Sequence, residues 1–232
     1  MKILGFDTAT NWCSIGLIDG EELIGEWTVR CKMTQLTRLM PGIKMILEAK
    51  NIKLSDLDCI AVTKGPGSFT GVRLGLVTAK TLAQVTTIDL QGVNSLKTLV
   101  YQIDMKEGLT VPLLDARKGE IYAGFYRWEG NKIIEIKESS LYKASDLAAE
   151  INTFNEQCNF IGHDTESCRN DIIKALTVPF RWASDIHGII RGSSVAFLGR
   201  EQLMAGNKDS YLNLEPVYIR PPDAKVKKKE NL

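Results

Sequence analysis

The chain has 232 residues, 44% of them hydrophobic and 25% charged, and its formal net charge is +1. That balance suits a globular core of one large domain or two small lobes, and it argues against a whole-surface nucleic-acid binder while leaving a local patch open. No apolar run approaches the roughly 20 residues of a membrane span, and the opening Met1-Lys2-Ile3-Leu4-Gly5-Phe6-Asp7 reaches a carboxylate too soon for a secretion signal, so a cytoplasmic protein without membrane contact is expected.

Residues 1–6 read as an opening strand, 13–19 alternate, Asp19-Gly20 signals a hairpin turn, and 21–29 return as a third strand. Met33, Leu36, Met40, Ile43 and Leu47 then recur at helical steps, with Pro41 placed to kink that helix or to start a second segment. A short apolar strand over 58–63 leads through a glycine loop into a helix over 69–85, followed by a strand at 88–93 and a short helix at 94–101. A second three-strand pattern covers 109–115, 121–128 and 132–137; helices are expected at 145–154, 166–176 and 193–205, with a strand at 159–162. Strands joined in antiparallel fashion and followed by βα units predict a mixed sheet covered by helices, in two topologically similar halves. The boundary falls near 104–108, giving lobes over 1–104 and 105–220; 221–232, with Lys225, Lys227, Lys228 and Lys229, reads as a solvated basic tail that could touch nucleic acid.

Five cysteines (Cys13, Cys31, Cys59, Cys158 and Cys168) show no C-x-x-C pair and suit reduced, mostly buried thiols. With His163 and His187 as the only histidines, a metal-ligand cluster is hard to assemble.

Three local patterns carry chemical meaning. Asp7-Thr8-Ala9-Thr10 ends the first strand with a carboxylate and two hydroxyls; it reads either as a polar hairpin turn or as a phosphate-facing turn with the carboxylate on a metal or its waters. In TKGPGSFTGVRLGL, Gly65 and Gly67 permit unusual backbone and Ser68 is a natural N-cap, so the helix start could hold an anion; the order fits neither a Walker loop nor a dinucleotide fingerprint. Gly71, Gly75, Ala79 and Ala83 form a small-residue stripe on the next helix, and its glycines cost roughly 1 kcal/mol each relative to alanine. Close packing on the chain's own sheet, or against a helix of another chain, would offset that cost. Asp115, Arg117 and Glu120 could form a polar site, but an exposed strand-to-strand turn is the preferred reading.

The combination of FDTAT, KGPGSFTGVRLGL, VNSL and LLDARKGEIY resembles the TsaB (YeaZ) family, the bacterial partner of the TsaD enzyme in making threonylcarbamoyladenosine in tRNA. The likeness is strong over about residues 1–127 and holds in outline beyond. It implies an actin-like ATPase fold (ASKHA, ribonuclease H-like) with two α/β lobes. The related catalytic subunit carries V-N-H-x-x-G-H, whose histidine positions fall here on Ser95 and Leu99, so that metal centre should be missing. The family's H-S-E-x-L-L-P run reads Gln35 to Pro41 here, with Gln35 in place of the histidine. The absence of H-E-x-x-H argues against a metalloprotease.

The resemblance implies a non-catalytic scaffold that pairs with itself or with TsaD through the helices of the first lobe and assembles with the ATPase TsaE, meeting tRNA through the complex. Met33, Leu36, Met40, Ile43, Leu47, Gly71, Gly75 and Ala79 are the interface candidates. The rival is an independent kinase or ATPase using Asp7, Thr8, Gly65, Gly67 and Ser68 on the phosphate side. It lacks a second glycine-rich phosphate loop, and a one-sided clamp is a poor catalyst of phosphoryl transfer. No tightly held cofactor is expected, at most weakly bound ATP or ADP at the TsaD interface.

Overall fold

The computed structural model describes residues 1–31, 34–207 and 209–220. Met33 and the basic tail beyond Arg220 lie outside the described residues. The first half forms β1 (Lys2–Asp7), β2 (Trp12–Asp19), β3 (Glu22–Arg30), α1 (Gln35–Ala49), β4 (Cys59–Thr63), α2 (Phe69–Thr86), β5 (Asp89–Val93) and α3 (Ser95–Tyr101). The second forms β6 (Leu109–Asp115), β7 (Glu120–Glu129), β8 (Lys132–Lys143), α4 (Ala144–Thr153), β9 (Cys158–His163), α5 (Glu166–Ala175), β10 (Phe180–Trp182) and α6 (Gly192–Met204).

The two sheets run β3-β2-β1-β4-β5 and β10-β9-β6-β7-β8. In each, the first strand pairs antiparallel with the second and parallel with the fourth. Read from opposite edges the orders coincide, so the halves are duplicates in topology. α1 and α2 cover one face of the first sheet, where Leu39, Ile43, Leu47, Val72, Leu76 and Ala79 meet Leu4, Phe6 and Val62. α1 is unbroken through Pro41 and no second segment begins there.

The division at residue 104 does not describe how the helices pack. α3, from the first half, lies on β6, β7 and β8, while α6, from the second, lies across β1, β2, β4 and β5. Glycines make this exchange possible. A Cβ on Gly5 would stand 2.3 Å from the Ala196 amide nitrogen, and one on Gly16 would stand 2.1 Å from that of Ser193, so helix and sheet meet backbone to backbone. The start of α6 is capped from the first lobe: Gly192 N–H donates to Ser14 Oγ at 2.8 Å, Ser193 N–H to Glu26 Oε1 at 3.2 Å, and Arg191 pairs with Glu26 at 2.9 Å. One apolar core therefore runs between the lobes, joining Ile3, Ile18 and Ala61 to Leu114, Tyr122 and Tyr126.

After α6 the chain crosses back. Asp209 bridges Leu90 at the β5 edge, Val217 N–H donates to Lys64 C=O at 2.7 Å, and Arg220 binds Ala116 C=O and Glu120 in the second lobe. This strap has no sequence signal beyond Pro216. β8 runs six residues beyond the expected end at Lys137, to Lys143, and β10 is an unexpected strand, because Phe180-Arg181-Trp182 is too short for a period to register. All five cysteines are free and buried, as their spacing suggested.

Candidate functional site

Asp7 ends β1 in the interior. Its Oδ1 accepts from Thr63 Oγ1 at 2.6 Å and from Ala9 N–H at 3.1 Å, and its Oδ2 accepts from Thr10 Oγ1 at 3.2 Å. Burial outweighs these bonds and pushes its pKa up to about 6. Thr8 is buried too, and its hydroxyl donates to Gly71 C=O at 2.7 Å. The turn is held from α1 as well: Gln35 Nε2 donates to Thr10 C=O at 3.0 Å, so the glutamine in the family's histidine position fastens the turn.

The glycine loop is closed onto that turn. Ser68 N–H, a donor that an anion at the helix start would need, donates to Ala9 C=O at 2.7 Å. A Cβ on Gly67 would stand 2.5 Å from the same oxygen, and one on Gly65 (φ +103°) 2.6 Å from Val217 C=O. Ser68 does cap α2, accepting a long 3.4 Å contact from Gly71 N–H. Of the five phosphate-side candidates, Gly67 and Ser68 reach the cleft between the lobes; Asp7, Thr8 and Gly65 are buried behind them. The glycines are needed for close approach of protein to protein, which sequence alone does not separate from close approach to phosphate.

That cleft has a volume of about 470 Å³. Trp12, Ser68 and Thr70 face Arg117, Tyr122 and His163 across it, with the strap along one side. At its rim Asp164, with φ +58°, accepts from Arg30 Nη2 and Asn11 Nδ2, both at 2.9 Å, so one carboxylate of the second lobe is gripped by the first. His163 Nδ1 lies 3.0 Å from the same carboxylate. In the second lobe His163 ends β9, and Asp164 and Thr165 lead into α5, where the first lobe has its glycine loop. Asp115, Arg117 and Glu120 form the preferred turn: Arg117 N–H donates to Asp115 Oδ1 at 2.9 Å and Ala116 N–H to Glu120 C=O at 2.9 Å.

The small-residue stripe is spent inside the lobe. Gly71, Gly75, Ala79 and Ala83 are all buried; a Cβ on Gly71 would stand 2.0 Å from Thr8 C=O, and one on Gly75 2.6 Å from Thr8 Oγ1 and 3.2 Å from Val62. The tight seat of α2 on β1 and β4 offsets the helix penalty of the glycines, so Gly71, Gly75 and Ala79 are corrected from interface to core. Ile43 and Leu47 are corrected likewise, being buried on the inner face of α1. The outward apolar side chains are Leu36 (71% exposed), Met40 (46%) and Met45 (47%) on α1, with Val77 (62%) and Val85 (77%) on α2. The helical period alone could have found Val77 and Val85, which lie off the glycine stripe.

Ser95 and Leu99, at the positions where the catalytic relative has histidines, are fully buried. Ser95 N–H donates to Gly65 C=O at 2.9 Å and Leu99 packs in the inter-lobe core, so this corner serves to dock α3 on the glycine loop. Among the described residues no three His, Cys, Asp or Glu side chains gather where they could hold a metal ion.

Comparison with known proteins places this geometry. The family model for TsaD, tRNA N6-adenosine threonylcarbamoyltransferase, matches residues 33–197. The Bacillus subtilis tRNA threonylcarbamoyladenosine biosynthesis protein TsaB is 32% identical over 98% of this chain and 97% of its own length. The chain belongs to the TsaB (YeaZ) family. Escherichia coli TsaB is 33% identical over 65% of each chain. The crystal structure of Pseudomonas aeruginosa YeaZ superposes with a TM-score of 0.78 at 19% identity, covering 94% of this chain and 99% of that one. A Thermus thermophilus ROK hexokinase shares the fold more distantly, with a TM-score of 0.55 at 12% identity over 89% of this chain and all of its own. The family thus keeps the two-lobe α/β duplication also seen in a sugar kinase.

Proposed function

We propose that this chain is the non-catalytic subunit of the tRNA threonylcarbamoyladenosine synthesis machinery, and that it supports TsaD by docking through the outward faces of α1 and α2. Its fold is read as a degenerate member of the actin-like ATPase class. TsaE and tRNA join through the assembled complex, in the cytoplasm. One observation carries the reading: the phosphate-side turn and the glycine loop are hydrogen-bonded to each other, Ser68 N–H to Ala9 C=O at 2.7 Å, and leave Asp7 buried. A nucleotide enzyme needs that space and those donors for phosphate. The helices above the same sheet, by contrast, expose five large apolar side chains.

The deciding experiment mixes the full chain with TsaD and weighs the products by light scattering. A stable complex, abolished by Leu36→Asp or Val77→Asp without loss of thermal stability, is expected. A chain that fails to bind TsaD, or that alone hydrolyses ATP at an ordinary enzymatic rate lost on Asp7→Ala, overturns the proposal. Any ATP or ADP held at the TsaD interface is expected to bind weakly and to contact Gly67 and Ser68, the two candidates that reach the cleft.

A further inference from the structure

We propose that Asn11, Trp12, Arg30, His163 and Asp164, at the rim of the cleft, form a clasp that holds the two lobes at one fixed opening. The cleft of this chain then does not hinge open and shut as a cleft that closes on a ligand does. The proposal concerns motion within the chain and stands apart from the docking role.

Both halves of the clasp are carried by fixed elements. In the first lobe Trp12 opens β2 opposite Arg30, the last residue of β3. Cys31 N–H donates to Asn11 C=O at 2.8 Å and fastens the turn that carries Asn11. In the second lobe His163 ends β9 opposite Leu114 of β6. It is backed by Gly188, where a Cβ would stand 2.2 Å from the Gly162 carbonyl oxygen and 2.6 Å from the His163 amide nitrogen. Neither side can swing without breaking its own sheet.

The two oxygens of Asp164 are used separately. Oδ1 accepts from Arg30 Nη2 and Oδ2 from Asn11 Nδ2, each at 2.9 Å, so separating the lobes breaks both bonds together. His163 Nδ1 lies 3.0 Å from Oδ1 but outside hydrogen-bond geometry, so the polar grip rests on the two first-lobe donors. The His163 ring meets Trp12 edge-on, with centroids 5.5 Å apart and planes at 82°, and the Arg30 guanidinium carbon lies 5.9 Å from the Trp12 centroid. The Arg30 side chain is 48% exposed and that of Asp164 25%, and a lone ion pair so wetted contributes little. Here two bonds and a ring contact converge on one carboxylate. The left-handed backbone of Asp164, φ +58°, persists because these contacts over-determine it. A free hinge is missing as well. α3 and α6 are each seated on the other half's sheet, so opening the cleft would slide packed helices where ligand-driven closure turns on a few loop residues.

The test places spin labels on the full chain through Lys44→Cys on α1 and Lys174→Cys on α5, both exposed, while the five native cysteines are buried. Pulsed electron resonance then reads the distance between the lobes. Expected is one narrow distribution that millimolar ATP leaves unchanged. Asp164→Gly accommodates the backbone without strain and removes both bonds; it should broaden the distribution about twofold or more, as should Arg30→Met, with the double variant no broader than either. Asp164→Asn keeps an acceptor and tolerates the backbone, so it should broaden the distribution less. A broad or two-peaked distribution in the parent, a shift on adding ATP, or a distribution that stays narrow in both Asp164→Gly and Arg30→Met would each overturn the clasp. Broadening that adds in the double variant would overturn it too, because Arg30 and Asp164 would then act separately.

Discussion

Two turns occupy equivalent places in the duplicated fold, one after β1 and one after β6, and each begins with an aspartate. Asp7 is buried and accepts from Thr63, Ala9 and Thr10. Asp115 is exposed and accepts from the Arg117 amide. The difference comes from the βα junction that packs beside each turn. After β4 a glycine loop brings α2 down onto the first turn; after β9 the chain passes through Asp164 into α5 and leaves the second turn open to the cleft. Topology sets the position of a carboxylate, and neighbouring backbone decides whether it is a ligand group or part of the core.

The largest effect should come from forcing the first turn open. Gly71→Val places side-chain carbons where Thr8 C=O lies 2.0 Å from the Cβ position, and should cost about 3 kcal/mol or more in urea unfolding. Gly71→Ala is a sharper test: helix propensity alone favours it by roughly 1 kcal/mol, yet net destabilisation is expected here. Gly119, in the second turn at φ +76°, has no atom within 4 Å of its Cβ position, so Gly119→Ala should cost only the strain of left-handed backbone, about 1 kcal/mol.

Next comes pH. Burial raises the pKa of Asp7 to about 6, above its value in the unfolded chain, so the folded state binds this proton more tightly. The group's contribution is therefore fully favourable below about pH 4 and falls by roughly 3 kcal/mol in all as pH rises through about 6. Asp7→Asn, which keeps an acceptor for Thr63 and Ala9, should remove this decline; unfolding free energies measured from pH 4 to 7 that keep the same slope in the variant would contradict it. Thr63→Val removes one donor to Asp7 and should cost about 1–2 kcal/mol at neutral pH. At the small end, Asp115→Ala should change stability by no more than about 0.5–1 kcal/mol, because the bond it accepts from the Arg117 N–H is solvent-exposed.

Much of the fold is legible in the sequence. The alternation in β1 to β3 and the three- and four-residue steps of α1 state their own periods, and the repeat of three strands at Leu109 reveals the duplication. The exchange of α3 and α6 between sheets is not legible, since Gly5 and Gly16 announce a close approach without saying which helix makes it. The candidate site is ambiguous in sequence for the same reason. Asp7, Thr8, Gly65 and Gly71 stand out as an unusual set, but a glycine adjacent to a carbonyl and a glycine adjacent to a phosphate look alike in one dimension. Ile43 and Leu47 read as interface in the sequence and are core in the fold, because an apolar helical stripe does not say how much of it the chain's own sheet will cover.

The sequence by itself determined the local periods, the duplication, the family and the lack of coordinating side chains at residues 95 and 99, because each is written in neighbouring residues and their types. Tertiary structure alone decided that the glycine loop closes on its own turn, that the small-residue stripe is core, and that Arg73 is held between Phe69 and Tyr218. The physical reason is distance along the chain: Ala9 with Ser68, Thr8 with Gly71 and Arg73 with Tyr218 meet through folding, and no local pattern encodes which remote backbone or ring will fill a given space.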